Sequence, residues 1–363
     1  TVQVNVAKQG SQPDASHLTI GVATSLSRLP EALLNFKHWA AHTNVHFVII
    51  VELPDREKHP KEPSIAEAKD MYAKAGIPNL TLVESAKDFL ERYVELIGVL
   101  HDHVEPNKTK WVSFIDDDTF FFRMETLLAR LEKYDPDRSF YVGQTSENKW
   151  NVDDGGIFAI GGAGVFMTVP LLRQLAAHRE ECESYLPGGA GDVRLAHCIF
   201  TYTTTKVSLE YGLYQLDLHI DVTGFYEAVR PQPISVHHWK TWHHHDMPTV
   251  SAVSSVCGQA CVLQHFKFRD GWQMTNGFSI IKYSYNETEL ASQIEAAMEH
   301  TWKLTIWDIP TSWLYSLAPL KPKDEGKIQY MMEKVDYDQD QVILYYVRRR
   351  NGAGEGLIRV AWS

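Results

Sequence analysis

The stretch Lys110-Trp111-Val112-Ser113-Phe114-Ile115-Asp116-Asp117-Asp118-Thr119-Phe120-Phe121-Phe122 joins two apolar runs through three consecutive carboxylates. A short apolar run bounded by polar residues reads as a buried parallel strand. In open α/β sheets, ligands sit at the carboxyl ends of such strands. Three adjacent anions there repel one another and lose hydration unless a cation joins them. Oxygen ligands of this kind suit Mn²⁺ or Mg²⁺, and such an ion usually carries a substrate's phosphates. An acidic loop or a helix N-cap accounts for the same residues without a metal.

On the N-terminal side, strand and helix patterns alternate. Residues 17–25, 45–51 and 79–84 read as strands, and residues 28–39, 64–75 and 88–103 as helices. The Asp triplet ends the fourth strand. A helix over 124–134, a strand over 140–145 and a helix over 170–178 follow. This alternation predicts a mostly parallel, doubly wound sheet. Residues 1–16 are polar and read as a stem or lead-in. Beyond about residue 250, helical periodicity fades except over 289–300. Short β-rich runs take over at 262–269, 278–285, 327–335, 341–349 and 357–362. The expected organisation is therefore a lead-in (1–16), an α/β domain (17–250) and a β-rich appendage (251–363), the last drawn as a small sandwich.

Length and composition narrow the class. The 363 residues exceed what one small core needs and suggest a large domain with a smaller one. A formal net charge of −11 argues against a nucleic-acid partner and fits a polybasic membrane-surface patch poorly. Four cysteines fall in two local pairs, Cys182 with Cys198 and Cys257 with Cys261. Three N-glycosylation sequons begin at Asn79, Asn107 and Asn286. Together they favour a secretory, luminal chain. Free thiols and chance sequons are the alternative.

Three further segments carry chemistry. Phe158-Ala159-Ile160-Gly161-Gly162-Ala163-Gly164 is too rich in Gly for a strand interior, and calls for positive φ or close approach of a ligand to the backbone. The Cys182–Cys198 span encloses Gly191-Asp192-Val193, with Asp192 at a helix start, where it also reads as an N-cap. Residues 235–245 hold five histidines in nine positions from His237 to His245. Neutral imidazole is a transition-metal ligand. On a strand His237 and His238 face opposite sides, so at most one of them meets the Asp triplet. His243, His244 and His245 read as a polar surface loop.

The order of these four elements resembles that of the inverting β1,3-glycosyltransferases of family 31, in the Fringe and core 1 β1,3-galactosyltransferase branch with its fungal and plant relatives. The likeness covers residues 17–245. It implies a GT-A glycosyltransferase fold (a Rossmann-like, mostly parallel sheet) within the α/β class, a UDP-sugar donor, and Mn²⁺ with Mg²⁺ as the alternative. It also implies a glycan or glycoprotein acceptor. The location implied is the Golgi lumen, as a type II membrane protein whose anchor lies upstream of Thr1, or a secreted form. By position, Asp118 and His237 would be metal ligands, with Asp116 close by. Asp116 and Asp117 would contact ribose and the sugar or metal waters, and Thr24 and Arg28 would sit near the uridine. Gly161, Gly162 and Ala163 would line donor and acceptor, and Asp192 would be the catalytic base. The family often has an acidic pair at the base position, where this chain has Gly191 before Asp192. Trp150, Trp239 and Trp242 are candidate acceptor platforms, with core packing as the other use of each.

The expected reaction is metal-dependent, inverting transfer of a hexose or N-acetylhexosamine to an acceptor hydroxyl, in a β1,3 linkage. A catalytically silent relative acting as a lectin or chaperone-like protein is the alternative. A zinc hydrolase built on the histidines would need three ligands at zinc spacing, which the sequence does not provide.

Overall fold

The structure is a computed structural model describing residues 12–54, 57, 59–148, 151–153, 156–184, 189–284, 299–302, 321–324, 326–338, 341–350 and 352–363. The chain divides into two compact units. One comprises Gln12–Leu216 and Pro233–His238, and the other includes Asp217–Gln232 and Trp239–Ser363. The sequence changes character near residue 250. The chain already leaves the first unit at Asp217, re-enters it for six residues, and leaves again at Trp239.

The first unit is built on a seven-stranded sheet in the order β3-β2-β1-β4-β7-β6-β8. The strands are β1 (Leu18–Thr24), β2 (His46–Glu52), β3 (Leu80–Ser85), β4 (Trp111–Ile115), β6 (Tyr141–Gly143), β7 (Val165–Thr168) and β8 (Val207–Leu209). β5 (Phe120–Phe121), β9 (Leu213–Tyr214) and β10 (Ser235–Val236) form a small separate sheet with β10 in the middle. Pairing is parallel from β3 through β4, whereas β7 runs antiparallel to β4 and β6. Helices are α1 (Leu29–Ala40), α2 (Ile65–Lys74), α3 (Phe89–Asp102), α4 (Met124–Leu131), α5 (Val169–Ala176), α6 (Arg179–Ser184) and α7 (Gly191–Tyr202).

The apolar runs follow from cover on both faces. Along β2, Phe47, Ile49 and Val51 join the core cluster of α1 and α2, while Val48 and Ile50 join that of α3 and α5. A strand buried on both sides has no polar positions to alternate with. α2 and α3 each start on a capping box, Ser64 with Glu67 and Asp88 with Glu91, which satisfies free N–H groups of the first turn. The disulfide Cys182–Cys198 ties α6 to α7.

The second unit carries a six-stranded antiparallel sheet, β11 (His265–Lys267), β12 (Trp272–Thr275), β13 (Ser279–Tyr283), β14 (Lys327–Asp338), β15 (Gln341–Arg350) and β16 (Ala353–Trp362), each paired with its neighbour in sequence. The expected β-rich appendage is therefore present, but among the described residues it is one meander rather than a two-sheet sandwich. Short turns join β11 to β12 and β13, and β14 to β15 and β16; each set of three pairs locally, and β13 pairs with β14 to make one layer. α8 (Thr223–Glu227) ends in the buried Glu227, which accepts from Lys327 Nζ at 3.1 Å; the same Nζ lies 2.6 Å from Glu299. Cys257–Cys261 is a disulfide in this unit. Most of the helix expected over 289–300 lies outside the described residues. No described helix is long and apolar enough to cross a membrane.

Candidate functional site

β4 delivers Asp116, Asp117 and Asp118 at its carboxyl end, beside the carboxyl end of β1. The loop closes on itself: Asp116 N–H donates to Thr119 Oγ1 at 3.0 Å, and Thr119 N–H donates to the Asp116 carbonyl at 3.1 Å. Buried Asn35 of α1 clamps it from outside, donating to the Asp117 carbonyl at 3.2 Å and the Thr119 carbonyl at 2.9 Å. Thr119 Oγ1 donates to the Gly162 carbonyl at 2.9 Å, and Ser235 Oγ to the Ala163 carbonyl at 2.6 Å. The Asp loop, the Gly loop and β10 are thereby fastened together. Asn35, Thr119 and Ser235 were not singled out from sequence, because single polar residues in apolar surroundings carry no spacing signature.

The three carboxylates have separate fates. Asp117 turns to the β1–α1 junction, where its carboxylate accepts the Thr24 hydroxyl and a two-bonded fork from the Arg28 guanidinium, with Nε at 2.5 Å. Hydrogen bonding to Asp117 holds the Arg28 pKa above its usual value, and its side chain stays 51% exposed. Asp118 and Asp116 face the other way. His237 Nε2 lies 2.9 Å from Asp118 Oδ1 and 3.3 Å from Asp116 Oδ2. Burial alone would lower the imidazole pKa, but these two carboxylates outweigh it and raise it to about 10. Burial likewise works against ionised Asp118, yet His237 prevails and its pKa is lowered to about 2.

Asp116, Asp118 and His237 each offer a ligand atom within 4.8 Å of the others. Two carboxylate oxygens and one imidazole form a donor set that fits a divalent cation such as Mn²⁺. His237 does not sit on a strand as expected: β10 ends at Val236, and His238 takes φ +52°. The two imidazoles are neighbours, with ring centroids 4.0 Å apart, because the left-handed turn replaces strand alternation. Gly162 is required here, since a Cβ on it would lie 2.3 Å from His237 Nδ1.

Asp192 is not the N-cap of α7: Ala190 holds that position, and Asp192 is the second helical residue. Its Oδ2 accepts the Gly161 N–H at 3.0 Å, which joins the Gly loop to the start of α7. The positions expected to act together therefore meet in one unit, with Gly161 on Asp192, Gly162 on His237 and Ala163 on Ser235. Tyr93 of α3, not foreseen from sequence, lies against both Gly161 and Gly191.

The tryptophans and remaining histidines differ. Trp239 is 5% exposed, which is the packing alternative, while Trp242 stacks on His219. Trp150 and Asn286 lie outside the described residues. His243 and His245 are not surface residues: His243 is buried, and His245 packs edge-on to Tyr226 and Phe278. Sequence reading missed this because the partners of His245, Tyr226 of α8 and Phe278 just before β13, are brought to it only by tertiary packing. Asn79 and Asn107 are exposed.

Residues 67–207 match the Fringe-like family model, and residues 155–265 match a family described as "Protein of unknown function, DUF604". Chondroitin sulfate synthase 3 of Homo sapiens is 27% identical over 129 residues, 33% of this chain and 14% of that protein; its Mus musculus counterpart matches equally. The chain thus spans about a seventh of the length of these relatives. Among solved structures, the glycosyltransferase GlyE of Streptococcus pneumoniae TIGR4 aligns with TM-score 0.40 and 11% identity over 65% of this chain and 59% of its own. The mannosyltransferase PcManGT of Pyrobaculum calidifontis, in complex with GDP-Man and Mn²⁺, aligns with TM-score 0.35 and 16% identity, over 57% and 59%. The Asp-loop, Gly-loop and α7 segments all fall inside the match to the Fringe-like family model, which covers residues 67–207 and lies on the mostly parallel sheet, with the C-terminal antiparallel sheet outside it.

Proposed function

We propose that this protein is a metal-dependent, inverting glycosyltransferase. It moves a hexose or N-acetylhexosamine from a UDP-sugar to a hydroxyl of a glycan or glycoprotein, forming a β1,3 linkage. The observation that carries the reading is the convergence of Asp116, Asp118 and His237 within 4.8 Å, with Asp192 fastened to the adjoining Gly loop. Asp118 and His237, with Asp116, would hold Mn²⁺; when bound, the ion supplies positive charge to the departing diphosphate. Asp192 takes the proton from the acceptor hydroxyl as that oxygen attacks the anomeric carbon. One base and no enzyme nucleophile give inversion of an α-linked donor. Arg28 uses two of its five N–H donors on Asp117 and stays half exposed, which leaves donors for the nucleotide.

The disulfides, the exposed sequons at Asn79 and Asn107, and the Fringe-like domain support a luminal setting, either anchored in the Golgi by an upstream segment or secreted. The test is a screen of UDP-sugars for UDP release with Mn²⁺, with and without EDTA. Asp192→Asn should cut transfer about 10²–10⁴-fold and leave UDP binding intact, whereas Asp118→Ala should lose both. Full transfer by Asp192→Asn, or activity indifferent to EDTA, would refute the proposal.

A further inference from the structure

We infer that Tyr93 is a positioning residue for Asp192, a rigid spacer that holds the Gly loop and the start of α7 at the separation the base needs. The inference rests on the reading of Asp192 as the base. The phenol is 3% exposed and lies between two glycines. A Cβ on Gly161 would lie 2.4 Å from Tyr93 Oη and 3.1 Å from Cζ. A Cβ on Gly191 would lie 2.5 Å from Cγ and 2.6 Å from Cβ of the same residue. One side chain thus occupies the side-chain space of both segments, its hydroxyl end at one and its root at the other. Those segments are the ones the base joins, because Asp192, next to Gly191, accepts the Gly161 N–H at 3.0 Å.

The hydroxyl has no hydrogen-bond partner among the described residues. Burial first, then the negative charges of Asp116 and Asp192, push its pKa well above the usual phenol value, so it stays a neutral O–H close to both carboxylates. A spacer needed only to fill volume would be better served by Phe, which buries no polar atom. A neutral hydroxyl instead extends the ring to the Gly161 backbone without adding a third charge.

The test uses Tyr93→Leu, Gly161→Ala and the double variant Tyr93→Phe/Gly161→Ala. It measures kcat for transfer, KM for the donor, Mn²⁺-dependent UDP binding and Tm in the full chain. Tyr93→Leu shortens the spacer, and Gly161→Ala drives a methyl into the hydroxyl. Each should lower kcat by about 10–100-fold, because displacing a reacting group by about 1 Å costs about that much. UDP binding should be unchanged in Tyr93→Leu. In the double variant the 2.4 Å contact is gone and the nearest remaining atom is Cζ at 3.1 Å, so about tenfold of the lost kcat should return.

A double variant no better than Gly161→Ala, or kcat losses that run in step with loss of UDP binding or Tm, would overturn the inference. If Asp192→Asn abolishes transfer in the same experiment, that failure leaves the base assignment standing. If Asp192→Asn transfers at full rate, the base assignment fails and the positioning role with it.

Discussion

Gly162→Ala should detach His237 from its carboxylates and weaken the metal site without touching a ligand. A Cβ at residue 162 would lie 2.3 Å from His237 Nδ1, 2.4 Å from Cε1 and 2.5 Å from Cγ, whereas ordinary contact begins near 3.4 Å. The ring must therefore retreat by about 1 Å, about five times the ±0.2 Å that metal–ligand distances tolerate. Neither side yields easily. Ser235 Oγ binds the Ala163 carbonyl, β10 is paired on both edges by β5 and β9, and His237 is 5% exposed. Loss of a group that orients a ligand costs about 10–100-fold in metal affinity, or about 1.4–2.8 kcal/mol. Mn²⁺ titration, by electron paramagnetic resonance of free ion or by calorimetry, should show that loss, and excess Mn²⁺ should recover part of the transfer activity. Gly161→Ala, one residue earlier, should instead leave Mn²⁺ affinity intact and lower kcat. Wild-type Mn²⁺ affinity in a folded Gly162→Ala protein would refute the assignment of His237 as a ligand.

Asp117→Asn should leave Mn²⁺ binding within about threefold of wild type, since Asp117 lies outside the group of possible ligands, but raise the donor KM by freeing Arg28 and Thr24. With Arg28 half exposed, the stability loss by urea unfolding should be only about 1–2 kcal/mol. His38 is held near a pKa of about 4 by burial, only partly offset by its bond to the Phe122 carbonyl. Its folded pKa is depressed, so stability is full above about pH 6.5 and lost as pH falls toward 4, by up to about 3 kcal/mol. His38→Gln should flatten that part of the urea-midpoint profile. His237, raised to about 10, is protonated at pH 7, so Mn²⁺ must expel about one proton. Binding enthalpies in buffers of different ionisation heat should differ accordingly, and affinity should rise with pH.

The sheet was legible because β1, β2 and β4 are covered on both faces and so appear as unbroken apolar runs of strand length. The Asp triplet was legible for the same reason: charge at the end of such a run has no packing use. His237 was reached through a resemblance rather than through geometry, and the geometry differs from strand alternation because His238 enters the left-handed region. Tyr93 left no trace in the sequence. Its partners Gly161 and Gly191 are far along the chain, and a tyrosine on the buried face of a helix looks like any core residue. The meander also escaped, since strand content alone does not decide between one layer and two.

The difficulty posed by three adjacent aspartates is resolved twice over, and the two solutions differ in kind. Asp117 is neutralised by a guanidinium that cannot be deprotonated at physiological pH, so its partner is permanent. Asp116 and Asp118 share a single imidazolium, which offsets only one of their two charges and whose proton can leave. Only the second pair can exchange its counter-charge for a metal ion, since the guanidinium of Arg28 keeps its proton. On the proposed reading, the triplet would supply two outer ligands around a fixed middle residue. The close approach of His237 Nε2 to Asp118 and Asp116 already holds these three side chains together, so on the proposed reading an ion would enter a gathered site instead of drawing repelling anions together.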